Sequence, residues 1–142
     1  MRHLLALTAI LMPLAASAED VERGEQLFWM HCAACHGAEG TGNGPMAPAM
    51  LVQPRNLTLL AVENDGVFPT ERVIRRIDGT DPLISAGSDM PVYGPFFAVD
   101  DTAPKTETGP PIMTSSPVVD LVAYLRTLQA DDSRGSTLAA LL

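Results

Sequence analysis

Cys32-Ala33-Ala34-Cys35-His36 holds the only two cysteines of the chain and one of its three histidines. Two thiols and an imidazole at that spacing meet the requirements of a c-type haem site: two thioether bonds to the porphyrin edge, and a histidine nitrogen offered to the iron from the next residue. A group of that size enlarges the core around which the rest of the chain must fold. Other readings of the same residues fit less well. A four-ligand zinc site would have to recruit carboxylates or His3, since His3, His31 and His36 are the only imidazoles. A redox dithiol belongs before a helix in a βαβ pattern, and none is visible. A disulfide across two residues closes too small a loop to stabilise much of the chain.

Residues 1–18 read as a secretory signal peptide, with Arg2 at the basic start, an apolar run from Leu4 to Leu14, and Ala16-Ser17-Ala18 before Glu19-Asp20. Cleavage is expected after Ala18, and the location is expected to be periplasmic. The apolar run falls short of the roughly 20 residues a transmembrane helix needs, so no stable membrane insertion is expected. The 142-residue chain has a net charge of −8, one unit more negative without Arg2, and Lys105 is its only lysine. Nucleic acid is therefore not an expected partner. If the acidic surface steers an encounter, the partner's docking face should be basic or neutral.

From Val21 the pattern is helical into Cys32, with Asp20 as cap and Glu22 and Glu25 near the positive end of the helix dipole. Glycines at 37, 40, 42 and 44, with Pro45 and Pro48, make the stretch to Pro54 an irregular wrapping loop. A short turn or helix is expected around Asn56 to Val62. A better helix follows from Thr70 as cap to a stop at Asp78-Gly79, with Val73, Ile74 and Ile77 on one face. Thr80 to Ser115 is again irregular and contains Met90-Pro91. Ser116-Pro117 then opens a helix with Val118, Leu121, Val122, Leu125 and Leu128 as its apolar stripe, ending near Gln129. Strand signals are weak throughout. The expected organisation is a signal peptide (1–18), one mostly helical domain (19–130) and a C-terminal tail (131–142).

At these residues the chain resembles the monohaem class I cytochromes c, small exported electron carriers. Gly24 and Phe28 resemble the contact positions of that family's N-terminal helix, and Leu121-Val122-Ala123-Tyr124-Leu125 is similar to its closing helix. The resemblance implies an all-α fold, a few helices wrapped around one covalently bound haem with long irregular loops, and two helices crossing beside the haem. The stretch between Met90 and the last helix, with Pro95, Pro104, Pro110 and Pro111, is longer than a compact member needs.

His36 is expected to coordinate the iron through one ring nitrogen while an oxygen acceptor holds the other N–H. The resemblance implies a proline carbonyl as that acceptor, with Pro45 as candidate. A thioether on the opposite side would raise the reduction potential. Met30 is tied to the attachment side, Met46 and Met50 follow closely in the first loop, and Met113 adjoins the last helix. Met90 fits best, because it lies between two helices, is stiffened by Pro91, and resembles the family's sixth-ligand motif. Arg55 is a candidate for pairing with a haem propionate. Tyr93 and Trp29 are candidates for packing on the ring or donating to a propionate. His31, beside the first thioether, is badly placed to reach the far face. With both axial positions filled, no site is open to substrate, so the expectation is one-electron transfer rather than catalysis. The expected partners are a redox donor and acceptor met as a free shuttle, or alternatively a periplasmic dehydrogenase of which the chain is a dedicated haem subunit.

Overall fold

The computed structural model describes residues 19–81, 90–97, 101–102, 106 and 112–130. Residues 1–18, expected to be a signal peptide, and 131–142, expected to be a tail, lie outside the described residues. Helix α1 spans Val21–His31, and the Asp20 carboxylate accepts from the Arg23 N–H at 3.0 Å, as a cap should. A short α2, Ala33–His36, continues from it through the haem-type motif. Single 3₁₀ turns follow at Ala47–Ala49, Leu57–Leu59 and Val62–Asn64, the second capped by Asn56.

Helix α3 is Thr70–Asp78 and buries Val73, Ile74 and Ile77. The capping assignment needs correction there. Pro69 holds the cap position without a side-chain bond, and Thr70 is buried inside the first turn, where its hydroxyl accepts from Arg126 at 2.7 Å. Gly79 closes the helix in the left-handed conformation, donating to the Arg75 carbonyl. The stretch expected to be wholly irregular contains a one-turn α4, Gly94–Phe97, and a two-residue antiparallel ladder. Its strands are β1, Asp101–Thr102, and β2, Thr114–Ser115. Strands this short carry no alternation for a sequence pattern to reveal. Helix α5, Ser116–Thr127, closes the fold.

The frame is the crossing of α1 on α5. Gly24 makes it possible: a Cβ there would lie 2.6 Å from the Asp120 carbonyl carbon and 2.9 Å from Tyr124 Cβ. One turn on, the Phe28 and Tyr124 rings meet at 5.4 Å, and Phe28 is fully buried. Asp120, also buried, accepts from the Asp20 N–H at 2.9 Å and pairs with Arg23 at 3.4 Å. At the other end, the Gln129 side chain donates to the Leu57 carbonyl and accepts from the Ala61 N–H, seating the 3₁₀ segment on the end of α5. The core of Phe28, Ile74, Val118, Leu121 and Val122 thus holds α1, α3 and α5 around a hollow.

Candidate functional site

That hollow is a cavity of about 360 Å³, inside the roughly 300–1,000 Å³ range of cofactor sites. Cys32, Cys35 and His36 line it on one side and Met90, Pro91 and Tyr93 on another, with Phe28, Leu60, Val73, Ile77, Leu121 and Leu125 among its apolar walls. It brings together residues from α1, α2, α3, α5 and the loop after residue 89.

His36 is positioned by its backbone and its ring together. Its N–H closes a helical turn on the Cys32 carbonyl at 2.9 Å, and its Nδ1 lies 3.0 Å from the carbonyl oxygen of Arg55. A carbonyl only accepts, so Nδ1 carries the proton and Nε2 is the nitrogen left for a metal. Burial lowers the pKa of His36, opposed by the Arg55 carbonyl and aided by the charge of Arg76. Both influences that lower it favour the neutral imidazole, the form that binds metal. The acceptor expected at Pro45 is thus found at Arg55. Gly44 and Met46 donate to the Cys35 and Ala34 carbonyls, which holds Pro45 exposed on the outside of the attachment segment.

The Cys32 thiol is pushed up to about 11, first by burial and then by the neighbouring Cys35. In the haem-free chain it therefore rests as a neutral thiol at pH 7. Among the described residues, no group of three or more His, Cys, Asp or Glu is arranged to hold a metal ion directly. No helix among them is long and apolar enough to cross a membrane.

Of the methionines weighed as ligands, Met50 and Met90 line the cavity, while Met30, Met46 and Met113 are exposed. Met90 also packs against the hydrophobic core. Arg55 reaches the cavity, with its guanidinium paired to Glu63. Trp29 is exposed and outside the lining. Tyr93 is in the lining, and its hydroxyl donates to the His31 carbonyl at 2.8 Å. Burial, followed by the two facing thiols, raises the pKa of Tyr93, which keeps it a donor at neutral pH. The His31 ring sits edge-on among Tyr93, Phe96 and Phe97.

Arg72 and Arg76 line the cavity and were not picked out from the sequence. Their four-residue spacing on α3 puts both on one stripe beside Val73 and Ile77, a signal available in the helical pattern. The donor set fits a covalently bound haem. Two thiols flank an apolar hollow, a neutral imidazole has its second nitrogen engaged, a thioether shares the lining, and guanidinium groups suit an anionic edge.

Comparison with known proteins agrees. The sequence profile of the family described as Cytochrome c matches residues 21–129. No protein in a curated set matches the chain. A chain of the reducing HAO-like protein complex of Kuenenia stuttgartiensis superposes with a TM-score of 0.50 at 24% identity. That similarity covers 78% of this chain and 43% of the other, so the present chain spans under half the length of the one it resembles. At that identity the likeness concerns the fold, which is a small, mostly helical one of a few helices and loops. The profile covers the crossing helices, the attachment motif and the cavity alike: the chain belongs to the cytochrome c family, a haem c electron-transfer domain with one haem c bonded at Cys32 and Cys35.

Proposed function

We propose that the chain is a periplasmic one-electron carrier with His36 and Met90 as the axial ligands of its haem iron. The observation that carries this reading is the engagement of His36 Nδ1 by the Arg55 carbonyl, which leaves Nε2 for the metal in a cavity shared with Met90. A bound haem c supplies a reversible one-electron couple, whose potential a sulfur ligand raises. The protein's own residues do the rest. His36 is held neutral and oriented, Met90 contributes a soft sulfur, and the apolar walls from Phe28 to Leu125 keep water from the site. With two protein ligands in place, no position is left for a substrate. Arg55, Arg72 and Arg76 line the cavity and would neutralise the propionates. The export reading assigns residues 1–18 to a cleaved signal peptide, 19–130 to the haem domain and 131–142 to a tail.

The ferric protein, purified from a host able to install the cofactor, should show a sulfur-to-iron charge-transfer band that Met90→Ala abolishes. The reduced protein should not bind carbon monoxide at neutral pH. Colourless protein with two free thiols, or carbon monoxide binding by the unaltered reduced form, would refute this function. A second reading, a dedicated haem subunit of a periplasmic dehydrogenase, is favoured by exposed apolar side chains: Leu51 and Val52 beside the cavity, and Phe96 and Met113 near the β ladder. Co-purification of a second polypeptide at high salt would select it.

A further inference from the structure

We propose that Tyr93 is a positioning residue for the sixth ligand, its hydroxyl tying the backbone that carries Met90 to the helix end that carries Cys32. The proposal deepens the reading above and rests on Met90 as the sulfur ligand. The hydroxyl donates to the carbonyl of His31 at 2.8 Å. His31 is the last residue of α1, and its carbonyl is one of those that helix geometry leaves without an intrahelical donor. The Tyr93 N–H donates to the Ile77 carbonyl in the last turn of α3 at 2.8 Å, and its carbonyl accepts from the Phe97 N–H at 2.9 Å. Its ring stacks on Phe97 at 5.5 Å with 19° between planes. One residue thereby joins α1, α3 and α4.

The chain between Met90 and this anchor has little freedom. Pro91 has a fixed φ and no N–H. Val92 packs so closely on Gly79 that a Cβ there would lie 3.1 Å from Val92 Cβ, with a methyl closer still. Gly94 rests on Asp78 in the same way, its would-be Cβ 3.1 Å from the Asp78 carbonyl carbon. These contacts fix the segment to α3. The Tyr93 hydroxyl is what hydrogen-bonds it to α1, and so to the attachment side of the cavity. Removing the hydroxyl leaves the backbone bonds and the ring stack intact while widening the range open to the Met90 sulfur.

The test is a titration of the ferric holoprotein with imidazole, which must displace the sulfur to bind. Tyr93→Phe should bind imidazole about two- to tenfold more tightly, the range one neutral hydrogen bond supports. Asp120→Asn, which loosens the α1–α5 crossing away from the cavity lining, should lower the denaturation midpoint and leave imidazole affinity unchanged. An unchanged affinity in Tyr93→Phe overturns the proposal. So does an equal rise in Asp120→Asn, because general loosening would then account for the effect. A charge-transfer band that survives in Met90→Ala refutes the ligand assignment itself, whereas a band lost there with unchanged affinity in Tyr93→Phe refutes the tether alone.

Discussion

Gly24→Ala places a methyl group where α1 and α5 touch, and the structure sets both sides of its energetic effect. Alanine favours the helix over glycine by about 1 kcal/mol. Against this, the new Cβ would lie 2.6 Å from the Asp120 carbonyl carbon and 2.9 Å from Tyr124 Cβ, where ordinary contact begins at 3.4 Å. The nearest obstacle is backbone inside a helix, so no side chain can swing away, and the helices must part by roughly 1 Å along a close-packed seam. Overpacking of this kind costs about 1–3 kcal/mol, and a backbone obstacle puts it at the upper end. The net expectation is a loss of about 2 kcal/mol, or a Tm lower by about 8 °C for a domain of this size. Urea denaturation of the holoprotein followed by far-UV circular dichroism measures it. Gln26→Ala, an exposed position on the same helix, serves as the propensity control and should change stability by no more than about 0.5 kcal/mol. A Gly24→Ala protein as stable as the parent would show that the crossing yields, and that close approach is not what the glycine provides.

Two further outcomes follow from the site. Acidified organic solvent should leave the haem on the parent polypeptide and strip it from the Cys32→Ser/Cys35→Ser double variant; haem retained by that variant would refute thioether attachment. In the haem-free chain the thiolate is the nucleophile, so alkylation of Cys32 should be slow at neutral pH and climb as pH approaches the value near 11 to which burial and Cys35 raise it. Peptide mapping across pH 7–11 follows this, and alkylation already complete at the rate of a free thiol at pH 7 would contradict it.

What the sequence discloses of this molecule is what repeats or sits close together along the chain. The attachment motif occupies five consecutive residues. The apolar stripes of α3 and α5 recur at helical spacing, and these two helices and the Asp20-capped α1 emerge within a residue or two of expectation. Other features depend on partners distant along the chain. Tyr93 meets His31 across 62 positions, and Asp120 meets the Asp20 N–H across 100, with no local pattern to mark either. The acceptor on His36 is a backbone carbonyl, a group every residue owns, so residue identity could not single out Arg55 over Pro45. Thr70 illustrates a related failure. A threonine at a helix start reads as a cap, yet Arg126 claims its hydroxyl from the far end of α5.

The β1–β2 ladder pairs Asp101 with Ser115 and Thr102 with Thr114, two rungs that gather the ends of the intervening segment beside the start of α5. Because those rungs already bring Thr102 and Thr114 together, an insertion between them is inexpensive: each doubling of the length to be closed adds only about 0.6 kcal/mol. The paired ends are therefore a natural grafting point, where a spliced-in peptide tag should leave the colour of the protein unchanged.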